Sequence, residues 1–344
     1  MSEDSPDLLE GAVSPALNPN LFGHGEAESF LAEAYAGGKM HHALLMEGPR
    51  GIGKATLAFR FANHLLRHPD PARAPLMLTP PDPDHPVTRQ IASGASHDLL
   101  HLTRPLDEKA GRLKSAITVD EIRRAGKFLG QTSGTGNWRV VIVDAADDMN
   151  RNAANAVLKI LEEPPRRVLF MLVSHAPGKL LPTIRSRCMP LPLRPLAEAD
   201  LAAALAALEV TLPAASADRI LAAAGGSVAE ALKLIHYGGL DIMAALETIL
   251  KPGPSTRREM HKLADLLSAK DAETVFLFFT ELAGRRIVAE ARASALAGDL
   301  GRADRLASLS QSLTEKIAIS IGYNLDRKQT VLQILDDMRG AMTG

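Results

Sequence analysis

Gly48-Pro49-Arg50-Gly51-Ile52-Gly53-Lys54 fill the first seven positions of the phosphate-loop pattern G-x-x-x-x-G-K-[ST]. Gly48, Gly51 and Gly53 let backbone N–H groups cradle phosphates, and Lys54 reaches the β- and γ-phosphates. The eighth position asks for a hydroxyl that binds Mg²⁺ and holds Ala55 instead. Thr56 supplies a hydroxyl one residue later, but on a helix that step turns it away by about 100°. This stretch can therefore hold a nucleotide such as ATP while lacking a ligand for the metal.

A nucleotidase of this type needs a second acid at the end of a central strand. Asp144 closes the run Arg139-Val140-Val141-Ile142-Val143 and is placed for that task. The next residue, where a water-polarising glutamate often stands, is Ala145. Asp147 and Asp148 follow, either as polar neighbours of the site or as acids at a helix N-terminus.

The surrounding pattern positions these residues. Ala43–Glu47 reads as a buried strand entering the loop, and Lys54 to Leu66 as a helix with Leu57, Phe61, Leu65 and Leu66 on one side. Further strands are expected over Asp98–Thr103, Ile117–Val119, Arg139–Asp144 and Val168–Ser174. Helices are expected over Ala27–Gly37, around Ile122 and Phe128, and over Asn155–Glu163 up to Pro164-Pro165. Gly130–Asn137 reads as a polar loop and Pro69–Pro86 as an irregular insertion. Strands alternating with helices give a parallel α/β sheet. After Pro195 alanine and leucine dominate and the pattern becomes all-α. Met260, Leu263, Leu266 and Leu267 form one apolar stripe there, and Leu306, Leu309, Leu313 and Ile317 another. The expected division is a flexible tail at 1–20, a P-loop domain at 21–195, a small helical lid at 196–240 and a helical bundle at 241–344. Gly225-Gly226 and Lys251-Pro252-Gly253-Pro254 punctuate the helical half.

Composition narrows the function. The 344 residues include 39 basic and 40 acidic side chains, a formal net charge of −1, which argues against autonomous DNA binding. A single cysteine, Cys188, rules out an internal disulfide and a thiolate zinc site, and reads as a small buried residue. No apolar run of membrane-spanning length occurs, and Met1–Asn20 lacks the features of a secretory signal, so a cytoplasmic location is the default.

Several runs carry a resemblance. His42-Ala43-Leu44-Leu45 before the loop, Asn155-Ala156-Val157-Leu158-Lys159-Ile160-Leu161-Glu162-Glu163-Pro164-Pro165, and Pro182-Thr183-Ile184-Arg185-Ser186-Arg187-Cys188 resemble the AAA+ module of clamp-loader subunits. The likeness covers about residues 22–236. It implies an AAA+ P-loop domain, a helical lid and a C-terminal helical collar. It also implies that Arg187 of the Ser-Arg-Cys triplet works in trans as an arginine finger on a neighbour's nucleotide. Ser174 or His175 falls at the first sensor. Ala229, within Gly226-Ser227-Val228-Ala229-Glu230, stands where active members carry the arginine of the second sensor. Many relatives hold a four-cysteine zinc module after the P-loop helix. Here that interval has none, only His64, His68, His85, His97 and His101, and no zinc is expected.

Alanine at positions 55, 145 and 229 removes metal ligand, base and sensor. The implied function is a non-hydrolysing stator of the loader in a hetero-pentamer with gamma/tau and delta subunits, acting on a sliding clamp and primed DNA during replication. Such a chain belongs to a polymerase holoenzyme without polymerase activity of its own. An ATP-hydrolysing motor subunit of the same loader would need a water-held Mg²⁺ and another base, such as Asp147. A small-molecule kinase and an independent DNA-binding protein fit less of the chain.

Overall fold

Continuous apolar runs dictate the centre of the molecule. The computed structural model describes residues 8–107, 112–130, 136–251, 256–270 and 272–343. The chain divides into two compact units, 1–232 and 233–344. The start of the expected tail, most of the Gly130–Asn137 loop and Pro252-Gly253-Pro254 lie outside the described residues.

The first unit alternates strands and helices. α1 (Gly25–Ala36), β1 (Ala43–Glu47), α2 (Lys54–Arg67), α3 (Pro86–Ala92) and β2 (Leu99–Leu102) come first. A short antiparallel pair follows, β3 (Leu106–Asp107) with β4 (Arg112–Leu113). Then come α4 (Val119–Gly130), β5 (Arg139–Asp144), α5 (Arg151–Glu162), β6 (Val168–Ser174), α6 (Pro182–Arg185) and β7 (Met189–Pro192). The helices α7 (Glu198–Ala207), α8 (Ala217–Ala224) and α9 (Val228–His236) close the series. The sheet order is β2-β5-β6-β1-β7, with every pair parallel. Alternate residues of β1 face opposite layers, as a pleat requires. Leu44 and Met46 pack with Leu57, Phe61 and Leu65, while Ala43 and Leu45 pack with Val157, Leu161 and Phe170. Both faces are buried, which is why these strands read as unbroken apolar runs.

Two adjacent strands send the chain in opposite directions. β1 connects across the sheet to β2, and β6 connects over β1 to β7. The crevice beyond the C-terminal ends of such a pair is where open α/β sheets bind ligands.

Two expectations need correction. Ile117–Val119 is not a strand. Ile117 makes one isolated bridge to Met149, and Val119 already begins α4. The Glu121 carboxylate accepts from both the backbone N–H and the hydroxyl of Thr118, at 2.8 and 2.6 Å, so a capping pair starts the helix there. Between Pro69 and Pro86 the chain holds one 3₁₀ turn, Pro71–Arg73, and α3 begins where that stretch ends, capped by His85. Residues 8–20 are folded against the first unit, where Ala16 meets the core and Arg60 donates to the Pro19 carbonyl at 3.1 Å.

The second unit is helical: α10 (Gly239–Leu250), α11 (Thr256–Leu267), α12 (Glu273–Leu296), α13 (Leu300–Gly322) and α14 (Arg327–Thr343). Its interior holds Phe276, Phe279, Ile287, Leu306, Leu313, Val331 and Leu335. Met260, Leu263 and Leu267 are buried as the stripe implied, but Leu266 is exposed. Leu309 and Ile317 are half-buried beside Leu306 and Leu313. Among the described residues no helix is long and apolar enough to cross a membrane.

Candidate functional site

The loop between β1 and α2 lies at the crevice. Its backbone carbonyls are all engaged within the chain. The Lys54 ammonium donates to the Gly48 carbonyl at 2.7 Å and to that of Pro49. The Arg50 carbonyl accepts from the Ser227 hydroxyl at 2.9 Å, and the Gly51 carbonyl from the Val228 N–H at 2.9 Å. The Ile52 carbonyl accepts from His24 Nε2 at 2.7 Å, which fixes His24 as the Nε2–H tautomer. Gly53 begins α2 by accepting from the Leu57 N–H at 2.9 Å.

The lid therefore sits directly on the loop. Ser227 starts α9, its hydroxyl accepting from the Glu230 N–H at 3.2 Å. A Cβ on Gly51 would lie 2.4 Å from the Ala229 methyl, and Gly51 has a φ of +76°. Ala229 is thus in contact range of the loop but has no charge to offer.

Buried Lys54 dominates the field here. Burial lowers its pKa to about 8, against the pull of Asp144 and then Asp147. Asp147 holds the end of β6. Its carboxylate accepts from the Ser174 hydroxyl at 2.9 Å and from the N–H groups of His175 and Ala176 at 2.6 and 3.1 Å. Those bonds give Asp147 a structural task that neither sequence reading described. Ser174 is fully buried, with its hydroxyl spent on Asp147. His175 shares the field of Lys54. Burial first, and then the Lys54 and Arg50 charges, lower its pKa to about 4 against the effect of Asp147, so the ring is neutral.

Gly48, Gly51, Gly53 and Lys54 thus form one loop, with Asp144 in its field. Thr56 is buried in α2. Ala55 and Ala145, at the positions the phosphate-loop and strand-end patterns reserve for a metal ligand and a base, carry only methyl groups. The residues present suit phosphate binding but do not fit a hydrolytic Mg²⁺ site. Among the described residues no group of three histidine, cysteine or acidic side chains is placed to hold a metal. Three histidines of the cysteine-free interval have structural surroundings. His64 packs among Tyr35, Phe61 and His68, His85 caps α3, and His101 meets the edge of Phe59.

Arg187 is separate from this cluster, between α6 and β7. Its side chain is 35 % exposed and pairs with Glu162 at 2.8 Å. Cys188 beside it is buried, and burial raises its thiol to about 12. Sequence reasoning missed His24, Ser227 and the clamp made by Asp147. Ser227-Val228-Ala229-Glu230 has the spacing of a helix-starting capping box, which was a readable signal.

A parallel sheet with a phosphate loop at its switch point and a helical lid on that loop defines an AAA+ module. The model of the family described as DNA polymerase III, delta subunit matches residues 23–197. The chain belongs to that family. It is 38 % identical over 205 residues to DNA polymerase III subunit delta' of Pseudomonas aeruginosa, covering 57 % of this chain and 56 % of that one. It is 32 % identical over 209 residues to subunit delta' of Escherichia coli, covering 60 % and 58 %. Against subunit tau of Escherichia coli it is 30 % identical over 192 residues, covering 56 % and 28 %. The match spans little more than half the length of the two delta' relatives. A solved gamma subunit-related protein of DNA polymerase III from Thermotoga maritima is 21 % identical with a TM-score of 0.42, covering 93 % of this chain and 100 % of that one.

Proposed function

We propose that this chain is a non-hydrolysing, delta'-type subunit of a DNA polymerase III clamp loader. It would join gamma/tau and delta subunits in a hetero-pentamer through its helical C-terminal part. There it would present Arg187 to the ATP of an adjacent motor subunit and so help load a sliding clamp on primed DNA. One observation carries this reading: a surface guanidinium is kept at Arg187 while the chain's own loop has Ala55 where the metal-binding hydroxyl belongs. A guanidinium stabilises charge on the transferred phosphoryl, an effect worth about 10³–10⁵ in rate in GTPases. The test is a loader reconstituted with Arg187→Ala. Loss of ATP turnover and clamp loading supports the role, and unchanged rates remove it.

A motor subunit is the second reading, favoured by the similarity to subunit tau. It requires hydrolysis at Lys54's own loop. Turnover by the isolated chain, abolished by Lys54→Ala, would establish it.

A further inference from the structure

We infer that Glu162 is the positioning residue for Arg187, an assignment that rests on the trans role proposed above. Arg187 Nη2 lies 2.8 Å from Glu162 Oε1, and Nη1 donates to the Thr183 carbonyl at 3.0 Å. A guanidinium carries five N–H donors in a rigid fork. These two bonds fix its plane and leave N–H groups over for the phosphoryl oxygens of another subunit.

Glu162 does not serve its own helix. It is the last residue of α5, where the helix dipole disfavours a negative charge. The side chains of the pair are 35 % and 48 % exposed, so their attraction contributes little to stability. The helix dipole does not favour a carboxylate at this position, whereas a cation held beside it does.

The post that carries Glu162 is rigid. The neighbouring Leu161 is buried, and its carbonyl accepts from His42 Nε2 at 3.0 Å. The His42 carbonyl in turn accepts from the Phe170 N–H of β6 at 2.8 Å. The end of α5 is thereby tied to the entrance of β1 and to β6. The Thr183 side of the grip is anchored by Ile184, which is fully buried. Arg187 is therefore held from two fixed points of the α/β core, although it stands on the surface.

Aim, not affinity, is the consequence. A finger held in one orientation shortens the search for the transition-state geometry, and small misplacements of catalytic groups are expensive in rate. Removing Glu162 should lower the turnover of the adjoining site and leave its KM for ATP unchanged.

The experiment uses the reconstituted loader with this chain carrying Glu162→Ala, Glu162→Gln, Arg187→Ala, or Glu162→Ala with Arg187→Ala. Glu162→Ala should reduce kcat by about two- to tenfold. Glu162→Gln, whose amide oxygen still accepts, should recover most of that rate. In the Arg187→Ala background, Glu162→Ala should cause no further loss. Thermal midpoints of the isolated variants should match the parent. A wild-type kcat for Glu162→Ala beside a slow Arg187→Ala would overturn the positioning role alone. So would a further loss in the double variant. A wild-type rate for Arg187→Ala would overturn the finger reading and this assignment with it.

Discussion

The Ser227 hydroxyl donates to the Arg50 carbonyl at 2.9 Å, joining the first residue of the lid helix to the phosphate loop. Ser227 is buried and also receives the Glu230 N–H. Ser227→Ala removes a helix cap and leaves the Arg50 carbonyl without its partner. A loss of about 1–2 kcal/mol is expected in urea unfolding. A variant as stable as the parent would show that the lid does not depend on this bond.

The contact between Gly51 and Ala229 should be less forgiving. Gly51→Ala combines a φ of +76° with a 2.4 Å approach to the Ala229 methyl. The expected cost is about 2–4 kcal/mol. Gly225→Ala is the control. That residue also has a positive φ, +56°, but open space around it, and should cost about 1 kcal/mol. Equal losses at the two sites would mean that backbone strain, not the lid contact, makes position 51 special.

Lys54 is held in the fold at a cost. Burial brings its pKa down from 10.5 to about 8, so folding disfavours the cation. That penalty is fully present below pH 8. It fades as pH rises from 8 to 10.5, where the folded chain releases its proton before the unfolded one does. Lys54→Met keeps the length and removes the charge. It should raise the stability of the nucleotide-free chain by about 1–2 kcal/mol at pH 7, net of the bonds to Gly48 and Pro49. Destabilisation instead would mean that the lysine serves chiefly to brace its own loop.

His64 gives the acid side of the profile. Its ring is buried among Tyr35, Phe61 and His68, neither nitrogen has a hydrogen-bond partner, and burial lowers its pKa to about 4. The neutral ring favours folding fully above pH 6.5. That contribution is lost as pH falls from 6.5 towards 4, because the unfolded chain binds the proton first. At pH 5 the loss is about 2 kcal/mol. His64→Phe should reduce the drop in urea midpoint between pH 7 and pH 5. An unchanged drop would assign the acid sensitivity to other groups.

The sequence disclosed β1, β5 and β6 because strands buried on both faces leave no polar positions to confuse the pattern. β7 was hidden by Pro190 and Pro192, which disfavour a central strand. It is an edge strand, hydrogen-bonded only to β1, where proline is tolerated. The loop and Asp144 were legible because their chemistry lies in contiguous residues. His24 and Asp147 were not, because each acts on a segment far along the chain: His24 on Ile52, and Asp147 on Ser174 to Ala176. No local spacing announces such a contact. The same holds for Glu162 and Arg187, whose motifs were both visible but whose pairing required the fold.

The most direct test of the proposed division of labour is ATP turnover, measured for this chain alone, for its partner subunits alone, and for the reconstituted loader with and without Arg187→Ala. The chain alone should show no turnover. Adding it to its partners should stimulate hydrolysis, and Arg187→Ala should abolish that stimulation. Turnover by the chain alone, or stimulation that survives Arg187→Ala, would contradict the assignment of this subunit as a finger donor without a hydrolytic site of its own.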